Sequence, residues 1–199
     1  KDERIKKIKI KDLLSHKAGF DRRLSPDPML SEHPWCPDNI ERLASIKLDH
    51  NPGEVYSYSN LGYCLLGEII KRHAKKPLEE VFQHDLIFPA KAKMITLKKG
   101  EVIHNEPLPI FDNNESQEDL LNIRFEAMQA TGSWAGRSRD FLDVLDLITS
   151  PSSNFLSLSG RHALLSTAPE CEISQWRTCH GYAFYRYREK GRKTMYWRD

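Results

Sequence analysis

The sequence predicts a mixed α/β chain of the α+β type, with helices through most of its length and strands gathered at its end. Two observations carry this. From Leu61 to His73 the apolar residues Leu61, Cys64, Leu65, Leu66, Ile69 and Ile70 recur at helical spacing, and Phe141, Leu142, Val144, Leu145 and Ile148 repeat the pattern further on. After Gly181 the period changes: "YAFYRYREKGRKTMYWRD" holds two aromatic-rich runs around Glu189-Lys190-Gly191, which is a hairpin signal.

Taken in order, "IKIKDLLSHKAGF" alternates at Ile8 and Ile10 and then turns helical through Leu13 and Leu14, with Gly19 available to end the helix. The stretch "DRRLSPDPMLSEHPWCP", from Asp21 to Pro37, has four prolines and no period, so it reads as a surface loop of the kind that rims a site. Asn60 stands where a cap belongs at the start of the helix over 61–73, in which Leu65, Leu66, Ile69 and Ile70 are expected to be buried. Pro77 suits the first turn of a second helix running through Leu78, Val81 and Phe82 and finished by Pro89.

Lys98 to Glu118 is polar and turn-rich, and Leu120 to Met128 reads as helical. Ser138 is placed to cap the helix that carries Phe141 to Ile148, and the serine-rich "SPSSNFLSLSG" after it reads as a loop. No internal repeat or low-complexity tract interrupts this order.

Composition narrows the functional classes. The 199 residues are 39% hydrophobic and 29% charged, enough apolar material for a folded core. Thirty basic against 28 acidic residues give a net charge of +2, so no nucleic-acid surface is expected. No apolar run approaches the ~18 residues that span a bilayer, and the first residues lack the pattern of a signal peptide. Cys36, Cys64, Cys171 and Cys179 are widely spaced without a C-x-x-C pair, which argues against a disulfide-dense scaffold and against structural zinc. His33-x-x-Cys36 and Cys179-His180 are the only metal cues, and neither has paired-ligand spacing, so no metal is expected.

The segment that carries chemistry is "NPGEVYSYSNLGYCLLGEIIKRHAKKP", which sets Tyr58 and Asn60 between a Pro-Gly turn and a buried helix. Tyr-x-Asn alone matches many chains by chance, and a tyrosine before a helix is usually half-buried with its hydroxyl bonded. Its neighbours in fixed order change that reading: "LLSHKAGF" before it and "KKPLEEVFQHDLIFPAKAKM" after it. These pieces resemble the serine β-lactamase-like superfamily, in particular its group of class C β-lactamases, D-alanyl-D-alanine peptidases and esterases. The likeness is good from about Ile8 to Met94, looser over "ATGSWAGRSRDFLDVL", and extends to the terminal hairpin.

The resemblance implies an antiparallel sheet flanked by helices, a helical lobe, and a site in the cleft between them. Residues from about 12 to 150 would supply mainly the helical lobe, and those from about 181 to 199 a hairpin of the sheet, in one partial domain. It also implies acyl transfer through a serine ester, in which a lysine and the tyrosine of Tyr-x-Asn remove the serine's proton. Tyr58 would be that base or relay, which calls for positive charge nearby, and Asn60 would donate its amide to a substrate carbonyl. Ser59 and Arg198 would complete a substrate-binding set.

Two departures qualify this. No serine in the chain is followed by lysine in an S-x-x-K pattern, so the chain is expected to begin downstream of the nucleophile. The third motif is incomplete: Lys193-Thr194 mimics its start, and Arg198 falls where it is expected. An arginine there would stay charged and could stabilise an anionic Tyr58 or clamp a carboxylate, without relaying a proton. The sequence therefore predicts part of a serine hydrolase acting on a β-lactam, a D-alanyl peptide or a small ester or amide, without cofactor. Its partner would be a small-molecule or peptide substrate. The alternative is a non-catalytic binding module or pseudo-enzyme on the same fold, and the resemblance points to an exported bacterial protein.

Overall fold

One helix organises the core. In the computed structural model, which describes residues 1–31, 33–96, 124–166, 178–182, 184–187 and 195–197, helix α2 spans Asn60–Ala74. Its apolar stripe of Leu61, Cys64 and Leu65 packs against Leu13, Ala18 and Phe20, against Met29 and Trp35 from the proline-rich loop, and against Leu48. At about 100° per residue the centre of this stripe returns at position 68, not 69. Glu68 accordingly lies buried and pairs with Lys71 at 2.5 Å, whereas Ile69 is 41% exposed. The expected burial of Leu65 holds, that of Ile69 does not, and Leu66 and Ile70 are half-buried.

The helix cap also moves by one residue. Ser59, in extended conformation, accepts the Gly62 N–H on its Oγ at 3.3 Å, so Ser59 is the cap and Asn60 the first helical residue. Upstream, α1 (Ile10–Leu14) ends at His16, which takes a left-handed φ of 55°, a conformation that costs little only for glycine and a few polar residues. The predicted terminator Gly19 serves another purpose. Its φ is 96°, and a Cβ there would lie 2.5 Å from the His50 carbonyl oxygen, so this close crossing of two loops requires glycine. A disulfide joins Cys36 of the proline-rich loop to Cys64 of α2.

After α2 the chain turns at Lys75, in left-handed conformation, into α3 (Leu78–Phe82), with Pro77 just before its first residue, and then a π-helical turn over Gln83–Ile87. Strand β1 (Ile95–Thr96) pairs antiparallel with β2 (Trp134–Ala135), a short ribbon the sequence did not signal. The Trp134 ring packs on Phe82, with centroids 5.4 Å apart. Residues 98–118 lie outside the described residues; of the helix expected over 120–128, the described part is a single 3-10 turn, Phe125–Met128.

Helix α4 (Ser138–Thr149) is capped not by Ser138 but by Asp140, whose carboxylate accepts the Arg137 N–H at 3.2 Å and the Lys93 N–H at 2.9 Å. Part of the serine-rich stretch read as loop is helical: α5 spans Leu158–Ser166. Buried Arg161 replaces apolar packing there, donating to the carbonyls of Pro151, Ser153 and Leu156. The chain closes with β3 (Thr178–His180), β4 (Tyr185–Tyr187) and β5 (Met195–Trp197), an antiparallel sheet in the order β3-β4-β5. The two aromatic runs pair with Tyr185 opposite Trp197.

Candidate functional site

The segment Ser57–Asn60 is fixed by its backbone and by its serines, and this leaves its other side chains for something else. Ser57 donates its N–H to the His16 carbonyl at 2.9 Å and its hydroxyl to Asp21 Oδ1 at 3.0 Å. Ser59 donates its N–H to His16 Nδ1 at 3.2 Å, and Asn60 donates its N–H to Asp27 Oδ2 at 2.8 Å. Alternation along extended chain turns Ser57 and Ser59 inward and leaves Tyr56 and Tyr58 on the other side. Ser57 and Ser59 are buried; Tyr58 is half-buried and Tyr56 exposed.

Among the described residues nothing hydrogen-bonds the Tyr58 hydroxyl or the Asn60 carboxamide, although Asn60 is only 9% exposed. The neighbouring Tyr63 shows the contrast, because its hydroxyl donates to the Leu14 carbonyl at 3.1 Å. Most of the Asn60 residue is buried, and its carboxamide is not among the fully buried unpartnered atoms of the described residues, so its polar end can still meet solvent or a ligand. Two donors and one acceptor on Asn60, and the phenol of Tyr58, are thus held two residues apart with their polar ends uncommitted.

Two groups that sequence reasoning did not assign to the site stand at the Tyr58 ring, Arg22 and His16, and a third, His180, lies against His16. Arg22, exposed on the loop, sits 5.1 Å from the ring centroid and makes no ion pair among the described residues. The guanidinium thus lies within cation–π range of the ring, brought there by an element other than the Tyr-x-Asn segment. His16 packs on Tyr58 with centroids 4.5 Å apart and on Tyr63 at 4.8 Å. His180, on β3, approaches His16 edge-on at 4.5 Å, so the sheet meets the Tyr-x-Asn segment through this pair of imidazoles. His16 was legible only as a member of the string "LLSHKAGF", His180 only as half of a metal cue, and Arg22 carried no signal beyond lying in a site-type loop. Arg198 lies outside the described residues. Ser59 is engaged in the helix cap.

The loop that brings Arg22 is held by Asp21. This buried carboxylate takes the Arg23 guanidinium at 2.6 and 2.9 Å, the His50 Nε2–H at 3.0 Å and the Ser57 hydroxyl. The Arg23 hydrogen bonds, working against burial and joined by His50 and Ser57, hold the Asp21 carboxyl well below the usual carboxylate range. Serine, carboxylate and imidazole meet here, but the carboxylate stands between the other two, so no imidazole faces the Ser57 hydroxyl and the nucleophilic order is not formed. Arg23 is committed to this cluster, whereas Arg22 beside it lies against the Tyr58 ring. No group of three or more His, Cys, Asp or Glu residues among the described residues could hold a metal ion.

Comparison with solved structures places the fold. A D-stereospecific amidohydrolase from Streptomyces sp. superposes with a TM-score of 0.69 at 19% identity, covering 96% of this chain and 60% of that one. A penicillin binding protein from Bacillus halodurans gives 0.69 at 17% identity, covering 94% and 60%. At such identities the likeness shows the fold alone, an antiparallel sheet with helices of the β-lactamase and transpeptidase type. A Dichelobacter nodosus protein carrying the name fimbrial assembly protein FimD, serogroup D, is 32% identical over 203 residues, which are 99% of this chain and 49% of that protein. The chain thus spans about half the length of the curated relatives it matches along its full extent. The sequence model of the family described as Beta-lactamase matches residues 1–119, which hold the whole Tyr-x-Asn segment and every anchor that fixes it from the amino-terminal side, and the chain belongs to that family.

Proposed function

We propose that this chain is part of a serine hydrolase that works through an acyl-enzyme on a β-lactam, a D-alanyl peptide or a small ester or amide. The observation that carries this is the contrast along Ser57–Asn60: every backbone N–H of Ser57, Ser59 and Asn60 is anchored, and no described residue engages the Tyr58 hydroxyl or the Asn60 carboxamide. Tyr58 acts as base or relay for a serine hydroxyl, and Asn60 donates to the carbonyl oxygen of the substrate. Arg22 supplies positive charge at the tyrosine ring, and Arg198 is proposed from the sequence as a second cation of the site. The Cys36–Cys64 disulfide supports an oxidising compartment outside the cytosol.

No serine of this chain carries S-x-x-K, so the nucleophile is proposed to lie elsewhere in the whole protein. The test is made on the protein expressed from its full reading frame. Hydrolysis of a chromogenic β-lactam, a nitrophenyl ester and a D-alanyl amide is measured beside labelling by a serine-reactive phosphonate. The expected result is one labelled serine and turnover of at least one substrate, reduced 100-fold or more by Tyr58→Phe, the scale on which general-base catalysis contributes. Absence of both label and turnover overturns the hydrolase and favours a binding module on the same fold.

A further inference from the structure

We propose that His16 is the positioning residue of the candidate site, one imidazole that fixes both the backbone and the ring of the Tyr-Ser-Asn segment. The inference rests on the reading of Tyr58 and Asn60 given above for its functional meaning, and on geometry alone for its structural content. Three properties of His16 converge. It is 3% exposed, so the ring is fully committed to the interior. Its Nδ1 accepts the Ser59 N–H at 3.2 Å, and its own carbonyl accepts the Ser57 N–H at 2.9 Å. Its face packs on Tyr58 at 4.5 Å with an interplanar angle of 30°, and on Tyr63 at 4.8 Å with 27°.

The hydrogen bond also fixes which nitrogen carries the proton. A nitrogen that accepts from a backbone N–H holds a lone pair, so the neutral ring bears its hydrogen on Nε2. The left-handed backbone at residue 16 belongs to the same arrangement. With φ at 55°, His16 ends α1 and lies alongside the extended segment 57–59, offering its carbonyl to Ser57 and its ring to Ser59. His180 and Tyr185 then follow outward from it in series through edge-to-face contacts, at 4.5 and 4.9 Å. In this role His16 acts through the Tyr58 ring and through the Ser59 amide, one residue before Asn60. A leucine or phenylalanine would fill the same volume without the acceptor, and would strand the buried Ser59 N–H.

Two substitutions separate the two halves of this role. His16→Asn keeps an acceptor two bonds from Cβ, tolerates positive φ, and removes the ring. His16→Phe keeps a ring and removes the acceptor. The experiment is amide hydrogen exchange and aromatic proton NMR on the uniformly labelled 199-residue chain. In His16→Phe the Ser59 amide is expected to exchange at least tenfold faster, while the amides of Leu65 and Leu66, inside α2, keep their protection. In His16→Asn the Ser59 amide stays protected and the Tyr58 ring protons move toward free-peptide shifts. In the wild-type chain the imidazole nitrogen shifts report a proton on Nε2.

Three results overturn the proposal: Ser59 protection unchanged in His16→Phe, loss of protection at Ser59 and across α2 together, or a proton found on Nδ1. If His16→Phe fails to fold, His16→Asn decides alone, and loss of Ser59 protection in it overturns the proposal. None of these readouts requires turnover, so the positioning role can stand while the hydrolase reading falls, and the reverse.

Discussion

The Asp27 carboxylate, in the middle of the proline-rich loop, accepts the backbone N–H of Asn60 on Oδ2 at 2.8 Å and that of Met29 on Oδ1 at 3.0 Å. One buried side chain thus closes a 3-10 turn of the loop and holds the first residue of α2, 33 positions away in sequence. Asp27→Ala is expected to destabilise the chain by about 1–3 kcal/mol in chemical denaturation, because both buried N–H groups lose their acceptor. Asp27→Asn keeps one acceptor oxygen and turns an NH2 toward the other amide, so it is expected to be destabilising as well. A shift below about 0.5 kcal/mol for either variant would show that the loop does not anchor Asn60.

The disulfide makes a second connection between the same two elements. Cys36 and Cys64 are 28 residues apart, and closing a loop of that length restricts the unfolded chain by about 3–4 kcal/mol on the chain-entropy account. Denaturation with and without dithiothreitol measures this, and the Cys36→Ala/Cys64→Ala double variant should reproduce the reduced protein. Equal midpoints in both conditions would show that the bond is not formed in solution.

Asp21 sets the acid limb of the stability profile. Its carboxyl is held below the usual range in the folded chain by Arg23, His50 and Ser57, and an unfolded aspartate titrates near ~4. A depressed folded value means that the unfolded state binds the proton first, so the stabilisation is complete above about pH 4 and is lost as pH falls below it. Asp2, bonded by Arg4, and Asp140, bonded by Arg137, act in the same direction. Asp21→Asn is expected to flatten the fall in stability between about pH 4 and pH 2, with Asp2 and Asp140 supplying the slope that remains. An unchanged slope in the variant would exclude Asp21 as a linked group.

The sequence disclosed the helices by period and the hairpin by its aromatic runs, because those elements draw their stability from a repeating local pattern. What it hid came from contacts between distant residues. The β1–β2 ribbon is two residues on each side, too short for a pattern, and is held by Trp134 against Phe82. Helix α5 grew from a serine-rich stretch because Arg161 satisfies carbonyls that composition does not reveal. At the site, Tyr58 and Asn60 were named from a motif and its neighbours in order. Arg22 and His16 reach Tyr58, and His180 reaches His16, by tertiary folding from a loop, a helix end and a strand, and no spacing rule connects residues 16, 22, 58 and 180.

Helix α2 supplies a direct comparison of its two faces. Leu61 is among the largest fully buried side chains, and Leu61→Ala is expected to cost about 2–5 kcal/mol. Ile69, on the exposed side, should lose less than about 1 kcal/mol on truncation to alanine. Denaturation midpoints at a common m-value check the pair; similar losses at both positions would place Ile69 in the core after all.

Gly67 tests the other side of the same helix. In an exposed helix, alanine for glycine gains roughly 1 kcal/mol of propensity. Here the added Cβ would meet the Ala130 Cβ at 2.6 Å and the Leu78 Cδ2 at 3.0 Å. The leucine end can rotate away, whereas the Ala130 methyl is fixed to its backbone, so the segment Phe125–Gly132 must move off the helix. Overpacking of this kind costs about 1–3 kcal/mol, which outweighs the propensity gain, and Gly67→Ala is expected to be destabilising. Ala130→Gly should relieve the clash, so the double variant Gly67→Ala/Ala130→Gly recovers most of the loss of the first. Additive effects of the two substitutions would show that residues 67 and 130 are not in contact.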